Sequence, residues 1–423
     1  MTPGCLSKNR GFLSEWSDAS KKFVIIPTPE SLSTHNMKQQ VADRMQGISA
    51  FYVMELLQRA KQLEHEGRDI IHMEIGEPDF QTPQAVIDAG RALLKTGEVK
   101  YTAAAGLPEL RRCIADFYLH TYGVRLDPKR VFITPGASGA FLLAFGISLN
   151  PGEQVMMADP CYPCNDNFVR LFNGYTNFVN VGASTHYQLN PDLIAHNWSD
   201  LSKGVLIASP ANPTGTLLNS NDFIGSINQV NTLGGCFYSD EIYHGLVYDQ
   251  SALTALAYSD DAFVINSFSK FFGMTGWRVG WLVVPDDFVD AAEKLAQNIF
   301  ISTPTHSQYA ALASFSPANL DELEHRRLEF KSRRDFLYEN LLKLGFKIAC
   351  KPEGAFYIYA DCSSFTDDSF VFAKNLLEQQ GVAVTPGRDF GNFQAEKHIR
   401  FAYTASIDRM SDALKRLERF LCP

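Results

Sequence analysis

A lysine in the second half of the chain has the neighbours that a carbonyl compound and a phosphate would require. Lys270 ends an apolar run, where it can lose its proton and form a Schiff base with a carbonyl. Ser267 and Ser269 precede it and Arg278 follows. Serine hydroxyls and a fixed arginine are suited to a phosphate. Pyridoxal phosphate combines the two groups, so the segment predicts a site for that cofactor, although Ser-x-Ser-Lys alone also fits a surface lysine beside a glycine turn.

The composition is that of a globular protein large enough for more than one domain. The 423 residues are 45% hydrophobic and 20% charged, with a formal net charge of −9. This charge argues against a nucleic-acid or anionic-membrane partner. No apolar run is long enough to cross a bilayer, and residues 141–149, among the most apolar, are too short.

The eight cysteines are scattered, which is typical of a reducing compartment, and we expect a cytoplasmic protein. Cys161 and Cys164 have a redox or metal spacing, but no second pair or histidine cluster accompanies them, so no metal is predicted. Residues 1–36 lack a signal-peptide pattern and are expected to be a flexible leader.

The centre of the chain alternates β-rich runs with helical patterns, which predicts an α/β fold with a mostly parallel, seven-stranded sheet between helices. The flanking segments mix helices and strands and predict a smaller α+β domain. The expected division is 37–84 and 311–423 for the smaller domain and 85–310 for the larger. The seven strand candidates are 130–134, 154–158, 176–181, 205–209, 236–239, 263–267 and 279–284.

Polar clusters follow five of these strands. Since ligands bind beyond the carboxyl ends of parallel strands, the clusters are expected to meet at one edge of the sheet. They are Gly136-Ala137-Ser138, Asp159 to Pro163, Ser209 to Gly215, Asp240-Glu241-Ile242-Tyr243, and Ser267 to Lys270.

With these clusters in this order, the chain from about residue 38 onward resembles the fold-type I pyridoxal-phosphate aminotransferases of class I/II, in the subgroup of bacterial aspartate and aromatic aminotransferases. Further motifs carry the resemblance. They are Gly76-Glu77-Pro78-Asp79-Phe80, Tyr101-Thr102 with Gly106, Pro352 to Phe356, Pro386 to Gly391, and Arg400.

The resemblance implies a role for each candidate around the cofactor ring. Lys270 would carry the cofactor and then move the substrate's Cα proton. Asp240 would keep the pyridine nitrogen protonated. Tyr243 and Asn212 would bond the phenolic oxygen, and Tyr162 would stack on the ring.

The resemblance also implies the two anion sites. The phosphate would lie at a helix opened by Ala137 and Ser138, with Ser267, Ser269 and Arg278 as further donors. Tyr101 would reach this phosphate from the other subunit of a homodimer. Arg400 would bind the substrate α-carboxylate as a bidentate pair, with Gly76 and Asn212 beside it.

The predicted function is transfer of an amino group from an α-amino acid to a 2-oxo acid, 2-oxoglutarate or pyruvate, by a ping-pong mechanism. A carbon–sulfur β-lyase on the same fold is the alternative, because it would keep the same cofactor residues. Ser138 stands where some dicarboxylate-specific relatives have lysine, so aspartate specificity is in doubt. Ile48, Phe51 and 302–305 are expected to shape the side-chain pocket.

Overall fold

The computed structural model describes residues 41–48 and 51–422, so the predicted leader at 1–36 lies outside the described residues. The strands are β1 (Ile71–His72), β2 (Val131–Thr134), β3 (Gln154–Asp159), β4 (Tyr175–Asn180), β5 (Ser202–Ala208), β6 (Cys236–Asp240), β7 (Phe263–Ser267), β8 (Gly280–Val283), β9 (Tyr357–Asp361), β10 (Val382–Ala383), β11 (Thr385–Pro386) and β12 (His398–Ala402).

Twelve α-helices connect and cover these strands in the described part of the chain. They are α1 (Tyr52–His65), α2 (Gln84–Thr96), α3 (Pro108–Tyr122), α4 (Gly136–Ser148), α5 (Cys164–Leu171), α6 (Pro191–Asn197), α7 (Ser220–Thr232), α8 (Val289–Ile299), α9 (Thr305–Leu312), α10 (Pro317–Lys343), α11 (Ser369–Gln380) and α12 (Ile407–Leu421).

The predicted seven-stranded sheet is confirmed, with the strand order β2-β8-β7-β6-β5-β3-β4. β8 runs antiparallel to both β2 and β7, and the other pairings are parallel. Side chains along β8 alternate between two cores, with Trp281 in one and Leu282 in the other. This period of two is expected for a sheet that is covered on both faces.

A second region contains a three-stranded antiparallel sheet, β11-β12-β9, and the parallel pair β1-β10. These strands pack with α1, α11 and α12 around a third hydrophobic core. The α/β fold with an additional α+β region is therefore confirmed. Asp43–Pro423 forms one compact unit, so the domain boundaries at 84 and 310 stay predictions.

Among the described residues, no helix is long and apolar enough to cross a membrane. The seven cysteines of this part of the chain are all free thiols, including Cys161 and Cys164. Within the same residues, no group of three or more acidic, histidine or cysteine side chains is arranged to hold a metal ion.

Candidate active site

A cavity of about 530 Å³ lies at the carboxyl ends of β5, β6 and β7, beside the first turn of α4. The carboxyl ends of the parallel strands meet here, as the sequence predicts. The structure brings to this cavity all of the predicted site residues except Tyr101. They are Gly76, Ala137, Ser138, Tyr162, Asn212, Asp240, Tyr243, Ser267, Ser269, Lys270, Arg278 and Arg400.

Lys270 lies three residues beyond the end of β7, and its Nζ donates a hydrogen bond of 2.6 Å to the carbonyl oxygen of Gly76. Burial lowers the pKa of this lysine from 10.5 to about 8, and the nearby Arg400 and Arg278 charges lower the pKa further, against the opposing effect of Glu77. Near neutral pH, a useful fraction of Lys270 is therefore unprotonated and able to act as a nucleophile or base.

Asp240 ends β6 and is almost fully buried. Burial raises the pKa of its carboxyl group to about 7, and a 3.1 Å hydrogen bond from the backbone N–H of Ile242 to Oδ1 opposes this rise. A cationic group placed against this carboxylate would favour the ionised form and would itself be stabilised. The site is therefore suited to hold a protonated ring nitrogen.

Two tyrosine hydroxyls and a glycine also meet in the lining of the cavity. The hydroxyls of Tyr243 and Tyr357 are 2.8 Å apart. A Cβ added to Gly76 would lie 1.9 Å from the Tyr357 hydroxyl, so a side chain at this position would displace the tyrosine. Gly76 therefore lets the backbone approach the cavity closely.

The first turn of α4 and a set of side-chain donors form a cradle for an anion. Gly136 has φ +69°, and a Cβ there would lie 2.5 Å from Nη2 of Arg278. The Ser267 hydroxyl donates to the Ser269 hydroxyl at 2.9 Å, and Nη1 of Arg278 lies 3.4 Å from that same Ser269 oxygen. Arg278 forms no ion pair with a described acidic side chain, so its charge is available to a ligand.

Arg400 projects from β12 and is 5% exposed. Its Nη1 donates to Oδ1 of Asn212 at 2.9 Å, and its Nη2 donates to the Glu74 carbonyl oxygen at 2.5 Å and the Thr385 hydroxyl at 3.1 Å. These acceptors are all neutral, and Nε has no partner among the described residues. A buried guanidinium that forms no ion pair with a described acidic side chain is costly unless a ligand supplies an anion.

Two aromatic rings hold the Arg400 guanidinium in place. Its Cζ lies 4.2 Å from the ring centre of Tyr357 and 4.8 Å from that of Phe390. Such stacking stabilises the cation and limits its rotation. The free edge of the guanidinium is therefore oriented before a substrate arrives.

Tyr162 is partly exposed and lines the cavity, whereas Tyr101 is 81% exposed and lies outside it in the single chain. Of the residues expected to shape the side-chain pocket, Phe51 lines the cavity, and Ile48 and 302–305 do not.

Several lining residues were not predicted from the sequence. Tyr357 enters from β9, and Thr385 lies beside Arg400 in the small sheet. Both adjoin motifs that the sequence did show, Pro352 to Phe356 and Pro386 to Gly391. The proximity of these motifs was the available signal, but the pairing of β9, β11 and β12 was needed to place the two side chains.

A model of the family "Aminotransferase class I and II" matches residues 68–417. The chain is 36% identical to the valine–pyruvate aminotransferase of Mycobacterium tuberculosis over 91% of this chain and 99% of the relative. It is 34% identical to a (5-formylfuran-3-yl)methyl phosphate transaminase of Methanocaldococcus jannaschii, over 90% of this chain and 99% of that relative. The crystal structure of aspartate aminotransferase from Thermotoga maritima matches with a TM-score of 0.85 at 34% identity, over 90% of this chain and 100% of that one.

The chain belongs to the class I and II aminotransferase family. It is an enzyme that transfers amino groups between small molecules, as the sequence predicts, and the relatives named above are transaminases and not lyases.

Proposed function

We propose that this chain binds pyridoxal 5′-phosphate and uses it to move the amino group of an α-amino acid to a 2-oxo acid in two half-reactions. The observation that carries the proposal is the meeting of Lys270, Asp240, Arg278 and Arg400 in one cavity. Two of these cations face neutral acceptors, which suits a ligand bearing a phosphate and a substrate bearing a carboxylate. Aminotransferases of this family generally use this cofactor.

The donor set fits the phosphate group in particular. Free backbone N–H groups at the start of α4 and the positive end of its dipole favour an anion, and no described side chain caps this helix. Ser267, Ser269 and Arg278 supply charge-assisted and neutral donors to the same place.

When bound, the cofactor supplies a carbonyl that takes the amino group and a ring that accepts an electron pair from the substrate. Lys270 would hold the cofactor and, as a neutral amine, would remove the proton from the substrate's α-carbon. Asp240 would keep a proton on the ring nitrogen, and Tyr243 and Asn212 would bond the ring's phenolic oxygen. Tyr162, which lines the cavity, would stack on the ring.

Arg400 binds the α-carboxylate of the substrate through its free edge, and Gly76 allows that carboxylate to approach the backbone. A bidentate pair fixes two oxygen atoms at once, so it determines which bond of the α-carbon faces Lys270.

The wall facing the substrate side chain is largely apolar. Phe51, Val53, Met54 and Leu57 contribute from the start of α1, and Phe141 and Phe168 also line the cavity. Among the described residues, two arginines line the cavity, Arg278 and Arg400. In the proposed function, Arg278 binds the phosphate and Arg400 binds the α-carboxylate. Lys61 also lines the cavity but is exposed. We therefore propose amino donors with apolar or aromatic side chains in preference to dicarboxylic donors.

A single-turnover panel tests both the reaction and the donor class. With one amino donor and no acceptor, we expect one molecule of 2-oxo acid per active site and no free ammonia. Continuous release of pyruvate and ammonia would indicate elimination instead and would contradict transamination. A higher kcat/KM for aspartate than for valine, leucine or phenylalanine would contradict the proposed donor class.

Replacing Arg400 by lysine should lower kcat/KM by about 100-fold or more for every α-amino acid, because lysine keeps the charge but loses the planar, stacked fork. Steady-state kinetics across the donor panel measures the effect. Arg388→Lys, at an exposed arginine outside the cavity, is the matched control and should change little. A loss confined to dicarboxylic donors would mean that Arg400 binds the side chain.

We further propose a two-fold homodimer in which Tyr101 of one subunit reaches the phosphate site of the other. Its high exposure and its absence from the cavity of its own chain support this arrangement. A two-fold interface presents the same surface on both chains, so a dimer would hold two equivalent sites. The scattered free cysteines support a reducing, cytoplasmic location.

Mixing two inactive variants tests the shared site. Lys270→Ala and Tyr101→Asp chains, each inactive alone, should regain activity on subunit exchange, up to about one-quarter of the wild-type rate if exchange is random, because mixed dimers contain one intact site. Lys270→Ala mixed with Asp240→Ala is the control and should stay inactive, since both residues line the cavity of the same chain. A monomer by light scattering, or exchanged dimers confirmed by mass but inactive, would contradict the arrangement.

A further inference from the structure

A second polar cluster lies directly behind the cavity. Asp240, Ile242 and Tyr243 face the cavity, whereas the intervening Glu241 and the following His244 do not. Glu241 is 1% exposed and His244 is 5% exposed. Neither residue can touch a substrate in the cavity, so a pair of buried ionisable groups there needs another explanation.

Hydrogen bonds determine where the protons of His244 lie. Its Nε2 is 3.0 Å from the carbonyl oxygen of Ser209, which can only accept, so Nε2 carries a hydrogen. Nδ1 is 3.0 Å from the Tyr122 hydroxyl and 3.4 Å from Oε2 of Glu241. If the imidazole is neutral, Nδ1 is therefore an acceptor and needs a donor.

The two oxygens of Glu241 have different surroundings. Oε1 accepts from the Ser239 hydroxyl at 3.1 Å, the Thr254 hydroxyl at 3.0 Å and the backbone N–H of Ala255 at 2.9 Å. Oε2 has no hydrogen-bond partner among the described residues and faces Nδ1 of His244. An ionised Glu241 beside a neutral imidazole would leave a buried anionic oxygen facing a lone pair.

The Tyr122 hydroxyl can donate to Nδ1, but an ionised Glu241 would still have an unpaired Oε2. A proton on Glu241, or a second proton on His244, removes this buried unpaired anion. The groups around the cluster favour the protonated, uncharged form of Glu241. Asp240 is adjacent, and the other ionisable neighbours among the described residues, Tyr118 and Tyr122 on α3, are phenols. Burial raises the pKa of Glu241 to about 8 and lowers that of His244 to about 4, which agrees with a protonated acid and a neutral imidazole.

We propose that Glu241 is a protonated positioning residue that, with His244 and Tyr122, forms an uncharged cluster holding the loop that carries Asp240 and Tyr243. His244 also ties this loop to Ser209, three residues before Asn212. The cluster thus connects the two loops that carry Asp240 and Asn212, and it leaves the negative charge of this region on Asp240. The role in catalysis rests on the proposed function of Asp240, whereas the protonation of Glu241 does not.

The pH dependence of folding stability distinguishes a protonated Glu241 from an ionised one. An acid whose pKa rises from 4.5 in the unfolded chain to about 8 in the folded one binds more protons when folded, so its contribution to stability falls as pH rises through this interval. Glu241→Gln removes this dependence. We therefore expect the stability of Glu241→Gln relative to wild type to increase from pH 5 to pH 8, measured by urea unfolding of the cofactor-bound protein.

An ionised Glu241 paired with a charged His244 would have a lowered pKa and would give no such increase, so a flat or falling difference overturns the proposal. Failure of Glu241→Gln to fold also overturns it, because glutamine is the closest neutral replacement. These stability results do not depend on turnover, so they remain informative if the proposed reaction is wrong.

Kinetics tests the positioning role. Glu241→Gln should retain kcat/KM within about threefold, because its amide keeps an acceptor for the three donors and a donor for Nδ1. Glu241→Met leaves those donors unpaired and should lower kcat of the donor half-reaction at least about tenfold, with KM little changed. A Glu241→Met enzyme that folds and works like wild type would overturn the positioning role, as would a Glu241→Gln enzyme that folds but loses tenfold or more.

Discussion

Lys270→Ala should abolish turnover, with a loss of at least about 10⁴-fold in kcat, because in the proposed reaction one side chain would both hold the cofactor and move the α-proton. The 2.6 Å contact of its Nζ with Gly76 and its lowered pKa show an amine held at the cavity and able to be neutral. Single-turnover kinetics with a saturating amino donor measures the loss directly. Phosphate binding should persist, since Ser267, Ser269 and Arg278 are unchanged.

Lys374→Ala, at an exposed lysine on α11 outside the cavity, is the matched control and should retain wild-type kinetics. Exogenous small amines should partly restore the proton transfer in the Lys270→Ala enzyme, because they can enter a cavity of about 530 Å³. Near wild-type multiple turnover by Lys270→Ala would remove this residue from the mechanism.

Asp240→Ala should slow the donor half-reaction by about 100-fold or more, a much larger effect than its effect on cofactor affinity. In the proposed reaction the carboxylate would stabilise charge that develops on the ring nitrogen, whereas the cofactor would be held mainly through its phosphate. Titration of the apoprotein with pyridoxal phosphate gives the affinity, and stopped-flow kinetics gives the rate.

Asp240→Asn provides a second comparison, because it preserves the shape of the side chain and the acceptor for the N–H of Ile242 but lacks the charge. We expect it to be slow as well. Asp261→Asn, at an exposed aspartate, should be unaffected. An Asp240→Ala enzyme that lost cofactor affinity alone, and reached the wild-type rate when saturated, would contradict the role of Asp240 as the partner of the ring nitrogen.

The central sheet was predictable because its strands are short apolar runs with clear boundaries. Phe263–Ser267 has the predicted bounds, and the polar residues that follow the central strands meet in one cavity. Local sequence determines both properties, since the carboxyl ends of parallel strands must share an edge.

Contacts between segments that are distant in the sequence were harder to predict. The two-residue strand Thr385–Pro386 is too short to show a pattern, and it became visible through its pairing with Arg400 and Ile399. Tyr357 reaches Gly76 from a strand some 280 residues later in the chain. The antiparallel direction of β8 likewise depends on its partners and not on its own residues.

The residues of the candidate site also differ in how far the sequence could predict them. Residue type and motif order placed Lys270, Asp240 and Arg400 in one site, and the structure brings them to one cavity, while their roles stay predictions. The neutral acceptors around Arg400, especially the Glu74 carbonyl oxygen, carry no sequence signal, since any residue has that group. Tyr101 is exposed and lies outside the cavity of its own chain, so its role at the phosphate stays a prediction.

The most direct measurement of the central proposal is to locate the cofactor on the chain. Borohydride reduction of the purified enzyme, followed by proteolysis and mass spectrometry, should place a phosphopyridoxyl group on Lys270. Incubation with a saturating amino donor before reduction should remove that label, because the donor displaces the lysine. A label on another lysine, or a label on Lys270 that the amino donor leaves unchanged, would contradict the account.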